Sequence, residues 1–392
     1  MPKNNSAFLI STMDYLLHAS DLERLIQAIY KDGYQIFGPT INDKAITYGE
    51  ISSSADLPQG WTDIQEGGRY RLKRRTDKAF FGYAVGPHSW KKYLQLPHRP
   101  IWKASRQHQD IEVIEIQETA PKLAFLGVRS CELHAIAIQD RVLTEGDYTN
   151  ENYRQRRAQL FTVAVNCTSA AATCFCTAMN TGPEVKLPSD LTLTEVIEGA
   201  AHFFLIRSGS ASGAQILSEL SLRPAGMREK NLANGRVQQL DEEMRKGPRH
   251  FDSSDLKELL YRNLDSPSWD KVAERCLSCA NCTMACPTCF CSTVEDTTDL
   301  SGEHSERWER WDSCFTADLS HLTGGPVRSD TRSRYRQWMT HKLATWQDQF
   351  GSSGCVGCGR CITWCPVGID LTEEVRSIRD LECKQAGSQE QP

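Results

Sequence analysis

The chain has 392 residues, a formal net charge of -5, 40% hydrophobic and 24% charged residues, and a mean hydropathy of -0.47. It shows no basic excess to attract nucleic acid and no run of about 18 apolar residues to span a membrane. Its opening, "MPKNNSAFLISTMDYLL", lacks the charged-then-apolar pattern of a secretory leader, so the cytoplasm is the expected location.

Single cores stop growing at roughly 250 to 300 residues, so two domains are expected. The first predicted element is a helix with Ser20 as N-cap, apolar positions Leu22, Leu25, Ile26, Ala28 and Ile29, and Gly33 as its stop. From about residue 34 to 110, segments such as "LPQGWTDIQEGGRYRL" and "FFGYAVGPHSW" predict short strands and loops. Apolar runs at Lys122–Val128, Leu160–Val165 and His202–Ile206 then predict buried strands, with a helical period in "HAIAIQDRVL". The polar stretch from about Met227 to His250 reads as an exposed helix or a linker. Beyond it, "SSDLKELLYRNLDS", "SWDKVAERC" and "IDLTEEVRSIRDLE" have helical spacing, the last with Asp370 or Thr372 near its cap. The expected fold is a mixed α/β N-terminal domain over residues 1–245 and a mainly helical C-terminal domain over 246–392. The closing "KQAGSQEQP" reads as a disordered tail, with Cys383 a bystander thiol.

The chain contains 16 cysteines. A disulfide framework is expected in short secreted chains, whereas a reducing cytosol leaves thiols free for metals or redox chemistry. "CLSCANCTMACPTCFC" packs six of them into Cys276–Cys291, and "CVGCGRCITWCP" repeats the spacing from Cys355 to Pro366. Each run has the form C-x2-C-x2-C-x3-C-P, the pattern of bacterial two-cluster ferredoxins, in which the fourth cysteine of each run completes the other run's cluster. One [4Fe-4S] cluster is therefore expected on Cys276, Cys279, Cys282 and Cys365, and another on Cys355, Cys358, Cys361 and Cys286. Structural zinc sites more often use two separated C-x2-4-C pairs, so zinc is the weaker reading. Such an exchange would couple cluster assembly to folding.

Cys131, Cys167, Cys174 and Cys176, in "GVRSCELHA" and "VNCTSAAATCFC", follow predicted buried strands. Two readings stay open: thiols packed in a core, or ligands to a third [4Fe-4S] cluster at one end of a parallel sheet. The C-x-C beside Gly, Thr and Asn is poor core packing and favours the cluster. His134, one helical turn beyond Cys131, is read as a neighbour more readily than as a ligand. Cys289, Cys291 and Cys314 are too few for a cubane, which favours packing or tuning roles beside the other clusters. Trp308, Trp311, Trp338 and Trp346 are read as surface residues near the second run, with covering of the helices favoured over a docking patch.

No G-x-G-x-x-G follows a strand and no phosphate-loop lysine motif is present, and "SGSASGAQI" is best read as a strand-to-helix turn. Neither nickel-iron motifs nor a nucleophile with a base are recognisable, which points to a chain that carries electrons without its own bond chemistry. "CPTCFC", "RWERWDSCF", "RSRYRQWMTHKLATWQDQFGSSGCVGCGRCITWCPVGID", "LPQGWTDIQEGGRYRL", "GPHSWKKYL", "GVRSCELHAI" and "CFCTAMNTGP" together resemble the beta, iron-sulfur subunit of cytoplasmic NAD(P)-linked nickel-iron hydrogenases (sulfhydrogenases). That family also includes the A subunit of anaerobic sulfite reductase. The resemblance implies an α-helical ferredoxin joined to an α/β domain, working beside a flavin subunit that binds FAD and NAD(P) and beside hydrogenase small and large subunits that hold the nickel-iron centre. On this reading the chain is a non-catalytic electron-transfer subunit. The alternatives are the electron-entry subunit of a sirohaem sulfite reductase and a free-standing thiol or cluster redox enzyme or sensor.

Overall fold

A computed structural model describes residues 13–107, 110–116 and 119–389. The leader reading falls largely on residues outside this range. An eight-stranded mixed sheet organises the first two hundred or so residues, in the order Arg223–Pro224, Asp14–His18, Ala201–Ser208, Leu191–Glu198, Leu160–Val165, Leu123–Val128, Gln35–Asn42, Ala45–Glu50. The four strands from 191–198 to 35–42 are parallel to one another, and the flanking pairs are antiparallel. All six residues of Leu123–Val128 are buried. Successive side chains point to opposite faces of a strand, so Ala124 and Leu126 enter one core while Leu123 and Phe125 enter another. Helices Leu22–Lys31 and Ala211–Glu219 cover the first face, and Ser130–Thr144 and Glu151–Ala158 the second. Apolar strand runs with no polar alternation are the consequence of this cover on both sides.

The three expected strands lie where their apolar runs predict, and Gly33 ends the first helix at φ 86°. That helix starts one residue late: Asp21 is its N-cap, because Ser20 belongs to a preceding 3-10 turn, Ala19–Asp21. The polar stretch after residue 226 is a helix, Met227–Lys246, burying only Ala233, Val237 and Leu240. "SGSASGAQI" is a helix cap: the Ser210 hydroxyl accepts from Gly213 N at 3.0 Å and donates to Asp190 at 2.7 Å. The last helix, Leu371–Gln389, runs through most of the segment read as a disordered tail. Asp370 caps it, accepting from Thr372 N at 2.9 Å.

The C-terminal part is less helical than expected. Helices Leu256–Arg262, Ser268–Ala273, Thr331–Thr340 and Leu371–Gln389 share one core. Between them, however, Ser292–Thr298 and His304–Trp311 form two strands that join His98–Gln107 and Asp110–Glu115 in a four-stranded antiparallel sheet. "HSERWERW" sets its tryptophans three apart among paired charges, so no period-2 pattern marks it as a strand. Trp338 and Trp346 are buried, against the surface reading, and Trp308 stacks on His98 in the four-stranded sheet with ring centroids 4.4 Å apart.

A buried ion pair ties the large sheet to the second cysteine run. Arg129 ends the buried strand and caps the helix after it, and the helix's Glu132 accepts from Tyr48 Oη at 2.7 Å, Trp90 Nε1 at 3.0 Å and Arg360 at 2.5 Å. Arg360 lies inside "CGRC" and also donates to the carbonyls of Gly86 and His88, each at 2.9 Å. Side-chain exposure is 0% for Arg360 and 1% for Glu132, so either charge alone would be stranded without water. Removing one partner of such a pair costs about 3–5 kcal/mol. Glu132→Ala should lower stability by that amount in anaerobic denaturant titration of the full chain, whereas an exposed pair such as Arg154–Glu151 should contribute no more than about 1 kcal/mol.

Candidate metal centres

The two cysteine runs share a backbone as well as a spacing. Ser278 and Ala280 in the first run have φ of 49° and 65°, and Gly357 and Gly359, at the matching positions of the second, have 62° and 77°. These left-handed residues curl the chain so that amide groups turn toward sulfur. Ser278 N donates to Cys276 Sγ and Gly357 N to Cys355 Sγ, both at 3.4 Å. Each run then enters a single helical turn, Asn281–Met284 or Arg360–Thr363. At the far end, Thr288 N donates to Cys286 Sγ at 3.4 Å and Ile369 N to Cys365 Sγ at 3.3 Å.

Cys276, Cys279, Cys282 and Cys365 line one cavity, walled by Phe315 and Trp338. In the second set, Cys286 lies within electrostatic reach of Cys355, Cys358 and Cys361. Cys361 lines the first cavity as well, so the structure brings the cysteines of both runs together. Burial pushes the Cys355 thiol up to about 12 and the Cys361 thiol well up, so these groups would be protonated at neutral pH unless a metal displaced the proton. Cys286 runs the other way: a hydrogen bond from the Cys289 thiol and the Lys342 ammonium hold it well below the usual thiol range.

The N-terminal thiols also come together. Parallel pairing of Leu123–Val128 with Leu160–Val165 places Cys131 and Cys167 just past the C-terminal ends of neighbouring strands, where ligand sites of open α/β sheets lie. Cys174 and Cys176 follow in the loop. The Cys131 thiol is raised by burial and then by Cys358, Glu132, Cys176 and Cys167, and Cys176 is raised by burial and then by Cys174, Cys167 and Cys358. Cys358 packs against Cys131 and Cys176, and Cys361 lines the cavity of Cys276, Cys279, Cys282 and Cys365, so the second set borders both of the others in one cluster of thiols. His134 takes no part in it and lines a separate polar pocket with Asn166, Asp241 and Arg245. Among the described residues no group of three or more His, Cys, Asp or Glu side chains is arranged to hold a metal ion. A zinc ion would need sulfurs about 2.3 Å from one point, whereas thiolates that cage a cubane stand around a space.

Close packing explains the glycines of the second run. A Cβ on Gly357 would lie 2.6 Å from Phe175 O, and one on Gly359 would lie 2.4 Å from Thr173 O. The "TCFC" loop rests directly there, with Phe175 N donating to Gly357 O at 2.8 Å and Thr181 Oγ1 to Val356 O at 2.6 Å. On the other side, the hairpin of Trp61–Glu66 and Arg69–Arg74 brings Gly68 against Cys365: Gly68 N donates to Ile362 O at 3.1 Å, and Tyr70 stacks on Trp364.

Sequence reasoning missed the buried cations. Lys342 donates to Cys286 Sγ at 3.2 Å and Thr288 Oγ1 at 2.9 Å. Lys91 donates to Cys289 O at 2.9 Å and sits 3.6 Å from the centroid of a Trp311 ring. Cys289, Cys291 and Cys314 lie around these ammonium groups, and Cys314 is in reach of Cys282. Nothing in "SWKKYL" or "MTHKLA" distinguishes these lysines from solvated ones. The unequal surroundings of the two runs should be measurable: Gly359→Ala should lower anaerobic thermal stability by more than the roughly 1–2 kcal/mol of a left-handed residue alone. Ala280→Gly, at the matching position of the open run, should stay within about 1 kcal/mol of the native chain.

Residues 275–369 match the 4Fe-4S dicluster domain family. The chain is 30% identical over 295 residues to the sulfhydrogenase 2 subunit beta of Pyrococcus furiosus, a match that covers 74% of this chain and 82% of that one. The resemblance carried by the cysteine and aromatic motifs therefore holds across most of both sequences, and the chain belongs to the family of hydrogenase beta, iron-sulfur subunits.

Proposed function

We propose that this chain passes electrons through [4Fe-4S] clusters between an NAD(P)-binding flavin subunit and a nickel-iron hydrogenase module, and that its own residues make no substrate bond. The observation that carries this reading is the contact between the sets: Cys358 packs against Cys131 and Cys176, and Cys361 lines the cavity of Cys276, Cys279, Cys282 and Cys365. Cysteine sets that share neighbours suit one-electron hops. Three [4Fe-4S] clusters are assigned: on Cys276, Cys279, Cys282 and Cys365; on Cys355, Cys358, Cys361 and Cys286; and on Cys131, Cys167, Cys174 and Cys176.

The chemistry of the donors fits. All twelve assigned ligands are sulfurs, the ligand type that selects iron-sulfur clusters. Amide groups already point at Cys276, Cys286, Cys355 and Cys365, and such hydrogen bonds stabilise the thiolate form. A bound cluster would supply one-electron redox capacity. The protein orients the sulfurs, buries Cys131, Cys176 and Cys286 and leaves Cys279 at the surface, where a partner could approach. Partner subunits would carry FAD, NAD(P) and nickel-iron, and the Pyrococcus relative is itself named as one subunit of a sulfhydrogenase. Among the described residues no helix is long and apolar enough to cross a membrane.

Iron and sulfide analysis of the anaerobically purified chain should give about twelve irons per chain for three cubanes, and about eight would remove the N-terminal assignment. Cys365→Ser should abolish or alter the cluster on Cys276, Cys279 and Cys282 while sparing the one on Cys286. An unchanged EPR spectrum in that variant would rule out the crossed ligation. Co-purification of nickel and flavin supports the hydrogenase assembly, and sirohaem in their place would refute it.

A further inference from the structure

We propose that Lys342 holds the centre on Cys355, Cys358, Cys361 and Cys286 at a higher reduction potential than its sister on Cys276, Cys279, Cys282 and Cys365, so that an electron entering the pair rests on the inner centre. The inference rests on the cluster assignment above and adds an order to it.

The two runs act as an internal control, because spacing, left-handed residues and amide-to-sulfur bonds are shared. Their surroundings differ at the cysteine each lends to the other. Cys365 receives the Ile369 amide at 3.3 Å and lines a surface pocket beside Tyr70, Trp364 and Pro366. Cys286 is buried and receives the Thr288 amide at 3.4 Å, shares a hydrogen bond with the Thr288 hydroxyl at 3.1 Å, and receives the Lys342 ammonium at 3.2 Å.

Lys342 is built into place. It lies in a single wide π turn, His341–Thr345, between Thr331–Thr340 and Trp346–Phe350, and such turns are frequent at functional sites. Its carbonyl accepts from Gly354 N at 2.7 Å, one residue before the second run begins. Its ammonium has three acceptors: Cys286 Sγ, Thr288 Oγ1 and, at 3.4 Å, Gly354 O. None is a carboxylate. A buried charge without a counter-charge is costly, and here the available negative charge is that of the sulfur ligands and whatever they hold. Of the other cations near this set, Arg360 is already neutralised by Glu132, and Lys91 gives its hydrogen bond to Cys289 O at 2.9 Å and not to a ligand sulfur.

Reduction adds one negative charge to a cluster, and net charge, hydrogen bonds to sulfur and exposure set its potential. A positive charge fixed by direct hydrogen bond in a low-dielectric site favours the reduced form. Water stabilises that charge too and acts on the sister centre, at the exposed Cys279 and at Cys365 beside its surface pocket, but water carries no net charge. The unneutralised ammonium therefore dominates the difference.

The test is an EPR-monitored redox titration of the full-length chain, purified anaerobically. The native chain should show separate midpoints for the two C-terminal centres, and Cys365→Ser should leave the higher one. Lys342→Met should lower that higher midpoint by at least tenfold in the reduced-to-oxidised ratio, about 59 mV for one electron, with the other unmoved. Lys342→Arg should restore most of the shift. Coincident midpoints in the native chain, or an unmoved upper midpoint in Lys342→Met, would overturn the proposal. If Lys342→Met loses iron, the native and Cys365→Ser titrations still decide. An iron-free native chain would instead defeat the cluster assignment itself.

Discussion

Arg360 and Glu132 meet where no water reaches, and much of the architecture follows from having to satisfy that one pair. Glu132 must leave the sheet at the end of a buried strand, Tyr48 and Trp90 must turn their polar atoms inward, and Arg360 must arrive from a cysteine run more than two hundred residues away. A buried charge that loses its partner is so unfavourable that the α/β sheet and the ferredoxin-like segment can be ordered only together. The "TCFC" loop lies against the second run through its own hydrogen bonds, and this close approach is why that run carries glycines where the first carries Ser278 and Ala280.

That seating makes two near-identical motifs unequal. One set of four contains the exposed Cys279 and, in Cys365, a residue that lines the surface pocket beside the hairpin. The other contains Cys358, which packs against Cys131 and Cys176. Buried thiols resist ionisation, so the inner sulfurs are poorly prepared to be thiolates until metal arrives, and the amides and ammonium groups aimed at them are preparation for charge. Cys289, Cys291 and Cys314 sit among the same cations, as residues that shape the surroundings of sulfur would.

Much of the fold and of the candidate centres is legible in the amino-acid sequence. Apolar runs mark the three buried strands because cover on both faces removes polar alternation, and the paired C-x2-C-x2-C-x3-C-P spacing points to iron and sulfide. The strands at Ser292–Thr298 and His304–Trp311 are not legible, since "STVEDTT" is polar and "HSERWERW" spaces its tryptophans three apart, on a half-exposed sheet whose partner strand is about two hundred positions distant. The start of the first helix moves from Ser20 to Asp21 because a local 3-10 turn competes with the capping serine, a choice of fractions of a turn. The tail beyond Cys383 continues as helix because the preceding residues have already borne the cost of nucleation.

What the sequence determined alone was local: ligand type, ligand spacing, strand and helix periods, and membership of a family through motifs spread along the chain. Each depends on residues within a few positions of one another, where geometry is set by covalent connection. Which thiols share a space, which lysines are buried, and which of two equal motifs receives a positive charge were decided only by tertiary structure. Those properties depend on desolvation and on contacts between distant segments, and a lysine written in a sequence is the same letter whether water or sulfur surrounds it.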